Sequence, residues 1–334
     1  RIVHHNPQLY GLLYSVATFN LDYLKQRIWR HRYVSKFGGM WTDRSDYQHL
    51  IQQKLQRGEL TSEDEELLEQ WHTKGMVVIQ SAIESQTIDA YLNEVESLKH
   101  DKPSSPLLIT ASTLPEPTPY SEALSIQNNS VRVVDDYFYS LCSRNLLLNP
   151  TITHFLESIF ETKPVLTQSL AFTMGSEQAI HQDTAFVRMN SPMKLAAVWI
   201  ALEDVTQGSG ELIYYSGSHR WSDYLFSGRF KHYDEERDGP EQLSNWYQWM
   251  HDEAKRQNIV LETFLPKKGD ILFWHAALAH GGAPIENSNA TRKSLVGHYC
   301  SEGSRPLYHY YKPGQRKLYK HNQFQFTTSY YRKE

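Results

Sequence analysis

The sequence predicts a mainly β protein with flanking helices, built on a double-stranded β-helix (a jelly-roll or cupin-like core) with an N-terminal helical region. Two observations lead to this prediction. From about residue 165 onward, short apolar runs are bounded by Gly, Ser, Asn and Pro, which is typical of antiparallel barrels and jelly rolls. Before residue 100, amphipathic segments with helix-capping signals dominate. The 334 residues are enough to bury one large core.

The N-terminal third contains three segments with helical patterns. In "TSEDEELLEQWHTKG", Thr61 or Ser62 is followed three residues on by an acidic residue, and Gly75 closes the segment, as expected of a capped helix. "SQTIDAYLNEVESLKH" predicts a second amphipathic helix, and the short run "MVVIQ" (76–80) between them is prone to form a strand. "NLDYLKQRIWRHRYV" predicts a basic amphipathic helix within residues 20–36.

The remaining strands are predicted from six short runs, which are "PVLTQSLAFTM", "QAIHQDTAFVRM", "LAAVWIALEDV", "ELIYYSGSH", "DILFWHA" and "KSLVGHYC". We therefore divide the chain into a helical, basic extension (1–60), a double-stranded β-helix domain (61–304) and a basic aromatic tail (305–334). Within the β domain, residues 221–261 form a polar, helix-prone insertion, and the Pro-rich residues 103–128 are predicted to be an irregular excursion that acts as a lid. We expect the aromatic residues of the tail to serve packing rather than substrate recognition.

Composition narrows the class of protein. Hydrophobic residues make up 40% and charged residues 22% of the chain, as in ordinary soluble proteins. There are two cysteines, Cys142 and Cys300, so a disulfide scaffold is excluded and a reducing, cytoplasmic compartment is expected. No run of about 18 apolar residues occurs, so we predict no membrane span. Nothing in the sequence indicates nucleic-acid binding or fixes the oligomeric state.

The net charge of −4 is unevenly distributed. Residues 1–40 and 305–334 are both strongly basic, and the region between them is acidic. Basic ends favour an anionic substrate or partner, and the basic helix of residues 20–36 could contact an anionic membrane surface. The alternative is that these charges are solvated or pair with the acidic body of the chain.

One short motif, "IHQD", suggests a metal site. In a strand, His181 and Asp183 would point to the same face, because side chains alternate with a period of two. A third ligand is expected from a neighbouring strand, and His280 in "HAALAHGG" is the best candidate. His275, in the same run, is more easily read as a structural or pocket-lining residue. Two histidines and one carboxylate form the facial triad of non-haem Fe(II) oxygenases.

Arg292 adds a second feature. It lies 12 residues after His280 and begins the run "RKS", so that Arg292 and Ser294 share a strand face. A guanidinium and a hydroxyl together can hold a carboxylate. An iron site beside a carboxylate clamp matches the needs of a 2-oxoglutarate-dependent oxygenase.

Over residues 60 to 300, the chain resembles the phytanoyl-CoA dioxygenase family in several motifs that occur in the family's order. The resemblance rests on "WHTKGMVVIQSAI", "IHQDTAF", "VWIALEDVTQGSGELIYYSGSHR", "GDILFWHAALAHGG" and "TRKSL". It implies a jelly-roll core that uses Fe(II), 2-oxoglutarate and O2, and that usually hydroxylates an unactivated C–H bond with release of succinate and CO2.

The same resemblance implies roles for individual residues. His181, Asp183 and His280 match the iron ligands. Arg292 matches the arginine that binds 2-oxoglutarate. Gln182 and Trp199 match positions that line the cosubstrate pocket. The family often has His-Gly-Ser where this chain has Gly at position 282, and we expect Ser294 to supply the missing hydroxyl.

The function predicted from the sequence is thus a dioxygenase acting on a small or medium-sized molecule, with an anionic substrate favoured by the basic ends. Three alternatives stay open. The first is a catalytically silent jelly-roll binding module. The second is an oxygenase acting on a glycolipid at a membrane surface. The third is a zinc hydrolase with the same three ligands, which would leave Arg292 without a role.

Overall fold

The computed structural model describes residues 33–100, 105–111, 113–114, 116–120, 131–311 and 316–331. Its helices in these ranges are α1 (Tyr47–Gln56), α2 (Ser62–Lys74), α3 (Ser85–Lys99), α4 (Leu141–Leu147), α5 (Pro150–Phe160), α6 (Glu235–Arg256) and α7 (Tyr308–Tyr311). The strands are β1 (Met76–Ile79), β2 (Leu108–Thr110), β3 (Thr118–Pro119), β4 (Arg132–Val134), β5 (Pro164–Phe172), β6 (Leu195–Ala201), β7 (Leu212–Tyr215), β8 (Leu261–Phe264), β9 (Ile271–His275), β10 (His280–Gly282), β11 (Ser294–Ser301), β12 (Tyr319–His321) and β13 (Phe324–Phe326). The basic helix predicted within residues 20–36 lies almost wholly outside the described residues.

The strands form two sheets that are mostly antiparallel. The larger sheet has the order β1-β9-β6-β11-β5-β4-β2-β3, and the hairpin β12-β13 joins it through a parallel pairing of β13 with β5. The smaller sheet has the order β10-β7-β8. The sheets do not close into a barrel, but the antiparallel jelly-roll core with flanking helices confirms the predicted fold class.

Strand β6 lies between two layers of the molecule. All seven of its residues are buried, which explains why the run reads as continuously apolar rather than alternating. Val198 and Ile200 pack into the core that the larger sheet shares with the helices, whereas Ala197 and Trp199 pack on the opposite face with residues of the smaller sheet. The face of β6 that carries Ala197 and Trp199 is the one on which the candidate site lies.

The helical layer forms as the capping signals predict. Thr61 is the N-cap of α2: its hydroxyl accepts from the backbone N–H of Asp64 at 3.1 Å, and the Asp64 carboxylate accepts from the N–H of Thr61 at 2.8 Å. Gly75 ends the helix in the left-handed region, with φ 73°. On the sheet side, the Phe155 ring of α5 lies 4.6 Å from the Phe273 ring of β9, which fixes this layer against the larger sheet.

The insertion between 221 and 261 contains the predicted helix, α6, interrupted at Gly239 where φ is 68°. Trp246 and Met250 of α6 are buried in a cluster that also contains Ile180 and Ala185. The insertion therefore packs directly against the segment that carries His181 and Asp183.

The described part of the tail belongs to the larger sheet. Besides the β13–β5 pairing, the Tyr331 hydroxyl accepts from the N–H of Leu108 at 2.7 Å and donates to the carbonyl of Val134 at 3.1 Å. The described parts of the Pro-rich excursion form β2 and β3 at the edge of the same sheet. In and around this excursion, residues 101–104, 112, 115 and 121–130 lie outside the described residues, so the lid function stays a prediction. In the part of the chain that the structure describes, no helix is long and apolar enough to cross a membrane.

Candidate active site

His181 and His280 face each other across an isolated β-bridge. The N–H of His181 donates to the carbonyl of His280 at 2.8 Å, and the N–H of His280 donates to the carbonyl of His181 at 2.9 Å. The segment "QAIHQD", which we expected to be a strand, ends at this bridge. Gln182 is still extended, but Asp183 begins a 3-10 turn that runs to Ala185. The turn, rather than a continuous strand, brings the Asp183 carboxylate beside the His181 ring.

The orientation of both imidazole rings is fixed by backbone carbonyls. Nδ1 of His181 lies 2.9 Å from the carbonyl oxygen of Ala179, and Nδ1 of His280 lies 3.0 Å from that of Leu278. Because a carbonyl only accepts, each Nδ1 carries the proton and each Nε2 has a free lone pair. Burial, with the neighbouring His181 ring, lowers the pKa of His280 to about 4, so this ring is neutral near pH 7 and able to bind a metal.

The two Nε2 atoms and the Asp183 carboxylate converge. Oδ1 of Asp183 lies 3.6 Å from Nε2 of His181 and 3.7 Å from Nε2 of His280. The three ligand atoms lie within 4.8 Å of one another, and all three residues are buried. Among the described residues this is the one group of three or more histidine, cysteine or acidic side chains with the spacing of a metal site.

The other carboxylate oxygen of Asp183 is held by two residues that the sequence reasoning did not assign. The indole Nε1 of Trp274 donates to Oδ2 at 2.7 Å, and Nε2 of His298 lies 3.4 Å from the same oxygen. Burial alone would raise the pKa of Asp183, but His280, His298 and His181 in their protonated forms hold that pKa well below its usual value. Asp183 is therefore a carboxylate at neutral pH.

A signal for His298 was present in the sequence. Positions 292, 294, 296 and 298 share one face of β11 and its N-terminal approach, so the period of two that put Ser294 beside Arg292 also reaches His298. No comparable local signal marks Trp274, because its partner lies 91 residues earlier in the chain.

Arg292 lies in the same cavity as the three convergent residues. It is 3% exposed, and its guanidinium lies 5.5 Å from the Phe172 ring and 5.8 Å from the Trp199 ring. Nη1 donates to the carbonyl of Gly210 at 3.1 Å, and Nε has no hydrogen-bond partner among the described residues. Burial lowers the pKa of Arg292 to about 10, which still leaves it charged near pH 7.

The remaining predicted cosubstrate residues differ in position. Trp199 lines the cavity. Gln182 does not line it among the described residues, since its amide donates to the carbonyl of Ala277 at 2.7 Å. Ser294 is fully buried and has no described hydrogen-bond partner, but it is likewise absent from the cavity wall in the described ranges. The roles of Gln182 and Ser294 stay predictions that this arrangement does not favour.

A different serine lies where the family hydroxyl was expected. A Cβ atom on Gly282 would come within 2.9 Å of Ser176 Oγ and of the backbone N of Glu177, so the position is closed to a serine unless this segment moves. Ser176 itself lines the cavity. Ser176 is therefore a better placed source of the hydroxyl than Ser294.

His275 and His219 lie away from the convergent set. Nε2 of His275 is 3.4 Å from Oδ2 of Asp43, and its Nδ1 accepts from the N–H of Ala277 at 3.0 Å. The His219 ring lies 5.3 Å from the His275 ring, and its Nε2 is 3.2 Å from the carbonyl of His72. His275 thus connects the segment before α1 to β9, and His219 contacts the end of α2, in agreement with the structural role expected of His275.

A jelly-roll sheet that carries two histidines and an aspartate at one buried point, with an arginine in the same cavity, defines the class of non-haem Fe(II)/2-oxoglutarate-dependent oxygenases. Within that class, the chain belongs to the phytanoyl-CoA dioxygenase (PhyH) family, whose model matches residues 71–294. The family resemblance predicted from the ordered motifs is thereby confirmed.

A curated relative of this family is distant in sequence. A phytanoyl-CoA dioxygenase domain-containing protein 1 homolog of Caenorhabditis briggsae is 24% identical over 169 residues, which cover 48% of this chain and 54% of that protein. The chain thus spans about half the length of this curated relative.

Solved structures are similar in fold. The epimerase SnoN, solved with Fe3+, alpha ketoglutarate and nogalamycin RO, is 18% identical with a TM-score of 0.52, over 73% of this chain and 86% of SnoN. EctD from S. alaskensis, solved with 2-oxoglutarate and 5-hydroxyectoine, is 16% identical with a TM-score of 0.52, over 74% of this chain and 78% of EctD. At these identities the likeness establishes the fold.

Proposed function

We propose that this protein is an Fe(II)/2-oxoglutarate-dependent dioxygenase that hydroxylates an unactivated C–H bond of a small or medium-sized molecule. One observation carries the proposal. Two imidazole Nε2 atoms and the Oδ1 atom of Asp183 converge in a buried cavity whose wall also contains the guanidinium of Arg292.

The donor set fits a divalent first-row metal. His181 and His280 each present a lone pair at Nε2, since the proton at Nδ1 is held by a carbonyl. Asp183 presents Oδ1, since Oδ2 is bonded to the Trp274 indole. Two nitrogens and one carboxylate leave coordination positions open, which supports iron over a closed structural zinc site. His181, Asp183 and His280 would hold the metal.

Arg292 fits the distal carboxylate of 2-oxoglutarate. It is almost completely buried, its Nε has no described partner, and it forms no ion pair within the described residues. The acidic neighbour Glu211 raises the pKa of Arg292 but forms no ion pair with it, so a bound carboxylate would still offset the cost of burying this guanidinium. A zinc hydrolase would leave this buried charge unexplained, as would a binding module for neutral ligands.

When bound, Fe(II) with 2-oxoglutarate and O2 supplies oxidative decarboxylation: 2-oxoglutarate gives succinate and CO2, and the second oxygen atom enters the substrate C–H bond. The residues of the chain position these groups and exclude water. Phe172 and Trp199 cover the guanidinium of Arg292, and Leu170 and Val296 line the cavity between it and His298.

The proposal also covers the charge of the substrate and the place where the enzyme acts. The basic termini support an anionic substrate, and action on a glycolipid at a membrane surface is a variant that the helix of residues 20–36 suggests. Liposome flotation at low and high salt tests this variant: salt-sensitive binding supports it, and no binding at low salt excludes it. A cytoplasmic location is proposed from the two free cysteines, Cys142 and Cys300.

The test is anaerobic reconstitution with Fe(II) and 2-oxoglutarate, followed by addition of O2 with a panel of substrates. We expect a visible charge-transfer band of the Fe(II)–2-oxoglutarate complex, succinate release that requires both components, and a product heavier by one oxygen atom. If neither the band nor iron-dependent succinate is formed, the proposal is wrong.

Two histidine variants make the test specific. His181→Ala should abolish the band and succinate release, whereas His100→Ala, which removes an exposed histidine at the end of α3, should change neither. A protein that binds a partner equally well with and without His181, and that never forms the band, would be the catalytically silent module.

A further inference from the structure

A second cavity, of about 410 Å³, lies beside the candidate iron site. We refer to it as the tail cavity, because the described residues that line it include two stretches of the C-terminal tail. From the body of the protein it is lined by residues such as Gln168, Phe186 and Arg188, and from the tail by Leu307, Tyr308 and Tyr330. Its volume is in the range of small-molecule binding pockets.

Two contacts join the tail cavity to the iron site. Gln168 of β5 is the register partner of His298 of β11, and cross-strand partners place their side chains on the same face. Gln168 lines the tail cavity, whereas His298 lines the cavity of the iron site. On the other side, the Phe186 ring lies 5.7 Å from the His181 ring and also lines the tail cavity. The two cavities are therefore neighbours at the end opposite Arg292.

The tail residues that line the cavity are hydrogen-bonded to the lining residues from the body of the protein. The N–H of Leu307 donates to the carbonyl of Arg188 at 2.8 Å, and the N–H of Asn190 donates to the carbonyl of Arg305 at 3.1 Å. The Gln168 amide reaches the Tyr330 hydroxyl at 3.5 Å. Because residues 305–331 follow the region that matches the family model, this wall is a feature of this chain's own tail.

The lining indicates the chemistry of a ligand. Rings and aliphatic side chains make up most of it, with the polar side chains of Thr167, Gln168 and Ser329 between them. The Thr167 hydroxyl already donates to the carbonyl of His298 at 2.9 Å. Arg188 is the single charged side chain among the described lining residues, and it already pairs with Asp234 at 3.0 Å. Such a wall suits a largely apolar molecule with a few oxygen atoms that form hydrogen bonds.

We propose that the tail cavity binds the molecule to be oxidised, that this substrate has an apolar, ring-sized body bearing uncharged hydroxyl or carbonyl groups, and that the C-terminal tail determines which body fits. That the bound molecule is the one to be oxidised rests on the proposed function; that the cavity binds a molecule of this kind does not. The proposal departs from the anionic substrate suggested by the basic termini, since the one charged side chain that lines the cavity among the described residues, Arg188, is already paired with Asp234.

The test uses 2-naphthol, an apolar bicyclic alcohol, as the probe, with full-length protein and ligand-observed NMR or calorimetry. Ser329→Trp places a large ring in the cavity from the tail side, and Ser85→Trp makes the same change at an exposed position on α3. We expect 2-naphthol to bind the unmodified protein, to bind Ser329→Trp about tenfold more weakly or worse, and to bind Ser85→Trp unchanged.

Two results would overturn the assignment. Equal binding by Ser329→Trp and the unmodified protein, or no binding by either, would exclude the cavity as the site. A naphthyl phosphate that binds about tenfold more tightly than 2-naphthol would contradict the uncharged ligand class. The Fe(II)–2-oxoglutarate band is recorded for every variant. Its absence from the unmodified protein refutes the proposed function. A normal band together with unchanged 2-naphthol binding in Ser329→Trp refutes only the assignment of the tail cavity as the binding site.

Discussion

Replacing Trp274 by Phe tests the arrangement around the candidate metal ligands most directly. The indole N–H of Trp274 donates to Oδ2 of Asp183 at 2.7 Å, and its ring lies 4.9 Å from the His280 ring. The substitution removes the donor and retains most of the apolar ring. The carboxylate then loses the bond that keeps Oδ1 turned toward the two imidazoles, and His298, at 3.4 Å from Oδ2, is the remaining neighbour of that oxygen.

The size of the effect follows from the nature of this bond. A hydrogen bond to a charged group contributes about 1.5–3 kcal/mol, and removal of a group that orients a metal ligand typically costs about 10- to 100-fold in metal affinity. Since about 1.4 kcal/mol corresponds to a factor of ten, the two figures agree. We expect Trp274→Phe to weaken Fe(II) or Mn(II) binding by about 10- to 100-fold.

The assay is anaerobic competition for Fe(II) or Mn(II) against a chromophoric chelator. Trp221→Phe is the matched control: Trp221 is also buried, but its indole N–H has no hydrogen-bond partner among the described residues. We expect metal affinity in this control to remain within about twofold of the unmodified protein, since surrounding packing alone is altered. Equal metal affinity for both variants would refute the claim that Trp274 orients Asp183.

Three further predictions concern the cosubstrate and the helical layer. Arg292→Lys should raise the concentration of 2-oxoglutarate needed for half-saturation by about tenfold or more, measured from the charge-transfer band, because a bidentate contact is lost; an unchanged value would remove Arg292 from the cosubstrate site. Thr61→Ala should lower the free energy of unfolding by about 1 kcal/mol in urea titrations. Although burial opposes it, hydrogen bonds from Thr61 and contact with His154 lower the pKa of Asp64 below 3.8. The part of the stabilisation that comes from the Thr61 hydroxyl donating to the Asp64 carboxylate is therefore present above pH 3.8 and is lost as the pH falls through the lowered value; an equal loss of stability at all pH values would contradict it. Gly75→Ala should destabilise the protein more than Gly58→Ala, because both have positive φ but a Cβ at 75 would collide with a histidine ring whereas one at 58 meets no described atom within 4 Å; equal losses in thermal unfolding would refute this.

The local structure of the chain could be predicted from the sequence to a large extent. The capping box of α2 is encoded by Thr61 and Asp64, three residues apart, and the end of the helix by Gly75. Short apolar runs predicted β5, β6, β7, β9 and β11, and the helix in the insertion followed from its polar, periodic sequence. These features depend on residues close together in the chain, so a single sequence contains the information.

The candidate site was predictable to the extent that its residues occur in spaced motifs. His181, Asp183 and His280 converge, and Arg292 and Trp199 line the same cavity. The strand geometry assumed for His181 and Asp183 was wrong in detail, because the strand ends at His181 and a 3-10 turn places the carboxylate. The same residues remain the candidate ligands although the backbone conformation differs from the expected strand, since the motif fixes which residues are adjacent but not the backbone path between them.

The sequence by itself determined the helices α2, α3 and α6, most of the strand-forming runs, and the candidate residues for binding iron and a carboxylate. Only the tertiary structure decided which groups surround them. Trp274 and His298 meet Asp183, Ser176 fills the space opposite Gly282, and the tail forms a wall beside Phe186. Each of these contacts joins residues about a hundred positions or more apart. They depend on sheet register and packing. The period of two along β11 indicates the face on which His298 lies, but no local pattern of hydrophobicity, charge or turn residues specifies which residues meet across the fold.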